Sequence, residues 1–137
     1  MKVYRSRAMK YKGTDFIELN RKARNDYKII IAKSKRKPYV RSVYFKKQKV
    51  FLGLFWEHLQ QKGWKERTRR LKYFACALEL IMHTRFEPCP IQNPNKKSEI
   101  LHRFFGITKE NDLFYVQIKE DKKTDMKWFM SVFPEKD

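Results

Sequence analysis

The second half of this sequence contains basic, hydroxyl and imidazole side chains whose chemistry suits attack on a phosphodiester. Such a reaction needs a base to remove the proton of a ribose 2′-hydroxyl, cations to stabilise the phosphorane, and a donor to the departing 5′-oxygen. The candidate catalytic residues are Arg70, Lys72, His102, Lys119 and Ser131. Acting together, they would cleave RNA without a metal ion or another cofactor.

The first two candidates lie on a segment whose spacing predicts a polar helix face. Within residues 65–73, Glu66, Arg70 and Tyr73 recur at i, i+4 and i+7, and Arg69 lies beside them. A solvated helix flank held by one Glu-to-Arg pair explains the same pattern. The strands that follow favour the functional interpretation, because they add further polar groups.

Three segments near the end of the chain alternate with a period of two and predict β-strands. They cover residues 100–105, 113–119 and 127–133. Residues 108–112 and 120–126 are short and polar, which favours two antiparallel hairpins over a parallel crossover. We therefore expect a meander of at least three strands.

The middle strand of this meander predicts one apolar and one polar face. If Phe114, Val116 and Ile118 point into the core, the residues between them line the opposite face, and Ser131 of the last strand can lie near them. The polar residues of the middle strand are Tyr115, Gln117 and Lys119. This face is the predicted site of the chemistry.

Histidine is the side chain that most often serves as a general base near neutral pH. His58 and His83 lie on segments rich in apolar residues, whereas His102 lies on the first strand beside Arg103. Adjacent residues of a strand point to opposite faces, so only one of these two can share the polar face. A structural role for His102 stays open.

The elements before the meander are predicted to be mainly helical. We expect a short helix over Asp15–Arg24, a strand over Tyr27–Ala32, and helices over 50–62, which ends at Gly63, and 65–84. A proline-bearing loop follows. The expected fold class is α+β, with N-terminal helices packed on one face of a small antiparallel sheet.

The charge of the chain points to a polyanionic partner. Lys and Arg number 33 against 15 acids, which gives a formal net charge of +18 and a pI of about 10. Residues 1–49 hold 17 of the basic and 3 of the acidic residues, so the chain divides into a basic N-terminal region and a second region over 50–137. Residues 1–12 and the basic run 33–37 contain no expected core residue. The predicted nucleic-acid contacts are Lys33, Lys35, Arg36, Lys37, Arg69, Tyr73 and Arg103.

A membrane role is not expected, because no apolar run approaches the roughly 18 residues that span a bilayer. The first residues are basic rather than apolar, which argues against a secretory signal. Cys76 and Cys89 have no partner at metal-ligand spacing, and they predict a reduced, cytoplasmic setting rather than a disulfide framework.

Residues 65–134 resemble the barnase–EndoU–colicin–RelE group of small ribonucleases, in particular its phage- and toxin-associated branch. The resemblance rests on Arg70-Leu71-Lys72-Tyr73 opening a long apolar helix, the proline-bearing loop, and strands that end in Phe129-Met130-Ser131-Val132-Phe133-Pro134. The positions that match the group's functional residues are Arg70, Lys72, His102, Arg103 and Ser131. Tyr73 stands where many relatives have histidine.

The resemblance implies an endoribonuclease that leaves a 2′,3′-cyclic phosphate on tRNA, mRNA or ribosome-bound RNA. It also implies a toxin held in check by an acidic antitoxin protein. Two alternatives stay open. One is a non-enzymatic RNA- or DNA-binding module with stacking surfaces such as Tyr39, Tyr44 and Phe45. The other is a PD-(D/E)XK nuclease that would use Lys119 with Asp112 or Glu99 and a divalent metal.

Overall fold

A computed structural model describes residues 2–135 as four α-helices and a seven-stranded mixed β-sheet, which confirms the α+β class. The helices are α1 (Phe16–Lys33), α2 (Gly53–Gln60), α3 (Trp64–Leu71) and α4 (Phe74–His83). The strands are β1 (Tyr4–Arg5), β2 (Tyr39–Ser42), β3 (Gln48–Phe51), β4 (Cys89–Gln92), β5 (Glu99–Ile107), β6 (Leu113–Asp121) and β7 (Lys127–Pro134).

The predicted meander forms the centre of the sheet. Strands β5, β6 and β7 pair antiparallel through two hairpins, as expected. The sheet order is β1-β5-β6-β7-β3-β2, and β4 also pairs with β5. Because β1 joins β5 and β3 joins β7 in parallel, the sheet is mixed, and the expectation of a purely antiparallel sheet is wrong.

The helices are not confined to one face of the curled sheet, contrary to expectation. Strand β3 pairs with only the first two residues of β7, and α2 and α3 contact β7. Phe55 of α2 stacks on Phe129 of β7 with ring centroids 4.6 Å apart and planes 4° apart. Both rings are buried, so this contact anchors α2 to the core beside β7.

Helix α1 is longer than the sequence pattern predicts, and the strand expected over Tyr27–Ala32 is absent. Asp15 caps the helix as predicted, since its side chain accepts a hydrogen bond from the backbone N–H of Ile17. Leu19, Ala23 and Tyr27 are buried at a spacing of four residues. This helical period outweighs the β-branched isoleucines that suggested a strand.

The two long helices predicted over 50–62 and 65–84 each divide into shorter elements. In the first segment, residues 50 and 51 belong to β3, and the helix α2 begins only at Gly53. The second segment breaks at Tyr73, which has φ −97° and ψ 4° and separates α3 from α4. Leu71 and Phe74, on either side of the break, are fully buried. The proline-bearing loop also contains a strand, β4, paired along β5.

The N-terminal segment is part of the fold, and the expectation that it contains no core residue is wrong. Tyr4, Ala8 and Tyr11 pack against the core. The Glu79 carboxylate on α4 accepts hydrogen bonds from the Tyr4 hydroxyl (2.5 Å) and the backbone N–H groups of Arg7 (2.9 Å) and Ala8 (2.7 Å). Leu19 and Val40 lie in the same core as the later residues, although the division near residue 49 stays a prediction.

Candidate nucleic-acid interface

One face of β5, β6 and β7 carries three rows of side chains, and we call it the outer face. The strand register pairs residues across the three strands, and alternation places each row on this face. The rows are Phe105, Tyr115 and Phe133; Arg103, Gln117 and Ser131; and Leu101, Lys119 and Trp128. The predicted grouping of Tyr115, Gln117 and Lys119 with Ser131 is therefore confirmed.

Two arginines from different elements meet on the outer face. The guanidinium carbons of Arg70 and Arg103 lie 5.4 Å and 5.3 Å from the centroid of the Phe133 ring. Arg103 donates a hydrogen bond of 3.2 Å to the side-chain oxygen of Gln117, while its buried Nε has no partner within residues 2–135.

A glutamate on α3 orients the first of these arginines. The Nε of Arg70 donates a 3.0 Å hydrogen bond to Glu66, and Arg69 lies 3.5 Å from the same carboxylate. Burial alone would raise the pKa of Glu66, but the hydrogen bond and charge of Arg70 lower it below its ordinary value. Glu66 therefore stays ionised at neutral pH and holds Arg70 over the outer face.

Lys119 lies at the other end of the outer face. Its ammonium group is 3.5 Å from the Glu99 carboxylate and 5.0 Å from the centroid of the Trp128 ring. Lys37, from the predicted basic run, lines a hollow of about 250 Å³ together with Lys119 and Trp128. The basic run thus reaches the outer face through one of its four cations.

His58 of α2 is near enough to this group for the charges of Lys119 and Arg70 to act on it, although the sequence did not indicate it. Burial lowers the pKa of His58 below its ordinary value, and the positive charges of Lys119, Lys62 and Arg70 lower it further. An imidazole among cations stays neutral at physiological pH and can accept a proton. The sequence does not indicate this position of His58, because the placement of α2 beside β7 depends on the parallel pairing of β3 with β7.

His102 does not join the outer face, so the expected convergence of five catalytic residues is wrong. Its Nε2 lies 2.6 Å from the Glu120 carboxylate, and its ring is 5.2 Å from that of Phe45 on the inner side of the sheet. Lys127, which is only 2% exposed, lies 3.9 Å from the same carboxylate. Alternation along β5 sends Arg103 to the outer face and His102 inward.

Lys72 also lies away from Ser131 and Lys119. It follows α3 and lines a separate hollow of about 880 Å³ together with Arg69 and Tyr73. Tyr73 is only 6% exposed and packs against Phe114 with ring centroids 5.6 Å apart. Burial raises the pKa of the Tyr73 phenol, so this phenol stays protonated at neutral pH.

The remaining predicted contacts are more dispersed. Lys33 ends α1, and Lys35 and Arg36 are exposed in the connection to β2. The aromatic residues proposed for stacking, Tyr44 and Phe45, instead pack edge-on against the buried Phe104. Stacking surfaces are better supplied by the aromatic row of the outer face.

The acids proposed for a metal site lie at opposite ends of the β5–β6 hairpin. Glu99 pairs with Lys119, whereas Asp112 lies before the start of β6 and pairs with Lys10 at 2.5 Å. Within residues 2–135, no three side chains of His, Cys, Asp or Glu form a group suited to a metal ion.

Within the described residues 2–135, no helix is both long and apolar enough to cross a membrane. Cys76 is buried and Cys89 exposed, and both are free thiols.

Comparison with protein-family models, with curated proteins and with solved structures found no match to this chain.

Proposed function

We propose that this protein binds RNA on its outer face and cleaves it there as a metal-independent endoribonuclease. The observation that carries the proposal is the placement of Arg70 and Arg103 around the Phe133 ring, on the face that also carries Ser131 and Lys119. Arginine recognises phosphate through paired N–H donors, so two guanidinium groups that contact the same ring suit the binding of a phosphodiester.

The proposed reaction uses groups on or beside the outer face. His58 removes the proton of the ribose 2′-hydroxyl, and the 2′-oxygen attacks the neighbouring phosphorus. The bond to the 5′-oxygen breaks, and Lys119 donates a proton to that oxygen, which leaves a 2′,3′-cyclic phosphate and a free 5′-hydroxyl. Arg70 and Arg103 stabilise the negative charge of the phosphorane.

This assignment differs from the sequence-based one at two positions. His58 takes the place of His102, because His102 is bonded to Glu120 on the inner side of the sheet. Lys72 leaves the catalytic group because it lines the other side of α3. Ser131, which is only 7% exposed, remains in the same cross-strand row as Arg103, and we assign it to hydrogen bonding of a phosphate oxygen.

A non-enzymatic RNA-binding module is the second candidate, and one observation favours it. The rings of Phe105, Tyr115 and Phe133 form a continuous row, with centroids 5.2 Å and 5.7 Å apart. Aromatic side chains on a sheet surface stack on unpaired bases without any chemistry. The two candidates differ only in whether the bound RNA is cut.

The charge of the chain supports both candidates and is compatible with an acidic protein partner. A net charge of +18 accelerates association with RNA and would also attract an acidic antitoxin protein. We propose a cytoplasmic toxin, since two free thiols are compatible with a reducing compartment.

The test is to incubate the purified chain with a labelled RNA oligonucleotide in EDTA and to analyse the termini of the fragments. We expect fragments with cyclic phosphate ends, and we expect Arg103→Ala to slow cleavage by roughly 10²-fold. Arg21→Ala, which removes an exposed arginine of α1, is the matched control and should cleave normally. Binding without cleavage would replace the ribonuclease with the binding module, and absence of RNA binding would overturn both.

A further inference from the structure

A hollow of the described chain lies outside the outer face, on the other side of α3. Its volume is about 880 Å³, and α3 forms one of its walls. Residues before and at the start of α1, together with residues where β6 begins beside the end of β7, form the rest. The catalytic scheme above uses none of the side chains in this hollow, which we call the α3 groove.

An exposed indole marks one end of the α3 groove. Trp64 is 64% exposed, although a tryptophan ordinarily buries most of its surface. Its ring makes an edge contact with Phe16, with centroids 4.6 Å apart and planes at 85°. The exposure of the side chain leaves indole surface available for stacking. Arg67 lies 5.4 Å from the ring centroid and can reinforce a stacked aromatic group.

Three cations line the same groove from one side of α3. Lys65, Arg69 and Lys72 are spaced at i, i+4 and i+7, so they follow one another along the helix. Lys65 and Lys72 form no ion pair within residues 2–135. Two of the acidic side chains in the groove already have partners, since Asp112 pairs with Lys10 and Asp15 caps α1. Lys65 and Lys72 are therefore available to an anionic ligand, whereas Arg69 is shared with Glu66.

The α3 groove continues into the outer face. Arg69, Pro134 and Glu135 line both the groove and a smaller hollow of about 530 Å³. Arg70 and Phe133 line that smaller hollow. A chain of nucleotides bound at Arg70 can thus extend past Arg69 toward Trp64 without leaving the surface.

We propose that the α3 groove is a nucleotide subsite in which an unpaired base stacks on Trp64 while Lys65, Arg69 and Lys72 bind the neighbouring phosphates. The proposal rests on RNA binding at the outer face and adds the class of substrate, which is single-stranded RNA. Bases inside a duplex already stack on both faces and cannot offer one to an indole. Stacking on an aromatic side chain is tolerant of sequence, so this subsite selects strandedness rather than a particular base.

The experiment compares binding of an unstructured 12-nucleotide RNA with binding of a fully paired RNA duplex by fluorescence anisotropy. Trp64→Ala should weaken binding of the single strand about 10-fold, in line with the loss of one stacked base, and leave the duplex unchanged. Trp64→Phe keeps an aromatic face and should restore most of the affinity. Ile29→Ala, which removes another exposed apolar side chain, is the control and should bind as the unchanged chain does.

The outcomes separate this subsite from the proposed function. If Trp64→Ala binds the single strand normally while Arg103→Ala binds it weakly, the subsite is wrong and RNA binding at the outer face stands. Equal weakening for single strand and duplex would also overturn it, because stacking affects only unpaired bases. If the unchanged chain binds neither the single strand nor the duplex, the proposed function is wrong, and the subsite that rests on it is wrong as well. The thermal unfolding curve of Trp64→Phe should match that of the unchanged chain, which shows that a change in RNA affinity is not due to a folding defect.

Discussion

Replacing Glu79 by glutamine should destabilise the protein by about 3 kcal/mol. Its carboxylate holds three donors at 2.5–2.9 Å, from Tyr4, Arg7 and Ala8. A hydrogen bond to a charged acceptor contributes about 1 kcal/mol more than one to a neutral acceptor, so three weakened bonds give the total. The effect should be measured by urea denaturation at pH 7, with Glu57→Gln as the control, since Glu57 is exposed on α2.

The dependence of this difference on pH is a second readout of the same contact. Burial alone would raise the pKa of Glu79, but the hydrogen bonds from Tyr4, Arg7, Ala8 and Ser6 lower it below its ordinary value of about 4.5. A carboxyl group whose pKa is lower in the folded state stabilises the protein above its unfolded pKa and loses that contribution as pH falls. The difference in stability between Glu79→Gln and the unchanged chain should therefore shrink as the pH falls below about 4.5. A loss under about 1 kcal/mol at pH 7, or a gap that does not change with pH, would refute the reasoning.

Three further predictions concern the sheet and its outer face. Gly106→Ala should destabilise the protein by about 2 kcal/mol or more in the same urea assay, because an added Cβ would lie 2.8 Å from Leu80 and closer still to the ring of Phe114. Arg103→Ala should reduce the salt dependence of RNA affinity by about 0.7 in the log–log slope, measured by anisotropy in increasing salt, and an unchanged slope would remove its phosphate contact. In the pH profile of cleavage, the acidic limb should fall below the ordinary pKa of histidine, since the neutral base survives to lower pH. His58→Gln should cleave at least about 10²-fold more slowly, and normal cleavage by it would exclude this base.

The central sheet could be predicted because its strands alternate over their whole length. Phe114, Val116 and Ile118 are all fully buried, so the apolar face followed directly from the sequence. Strands β2 and β3 could not be found in this way, since each has four residues and their connection depends on positive φ angles at Lys46 and Lys47. Non-glycine residues seldom adopt that conformation, and the sequence pattern does not show it.

The outer face was predictable only in part, for a related reason. Alternation placed Gln117, Lys119 and Ser131 together, and it also stated that His102 and Arg103 diverge. Which of the two lies outward depends on which face the core covers, and a strand of mixed composition does not show that. His58 was missed because its distance from Lys119 depends on where α2 lies relative to β7.

The position of β7 has a consequence for synthesis of the chain. This strand lies between β6 and β3 in the sheet, although it is the last to be translated. Until residue 134 has left the ribosome, β2 and β3 cannot join the other strands and Phe55 lacks its stacking partner Phe129. Long-range pairings of this kind form late in folding. A nascent chain would therefore carry Arg70 and Arg103 without the scaffold that brings them together, so an RNA-cleaving activity would arise only when its own message has been read to the end of β7.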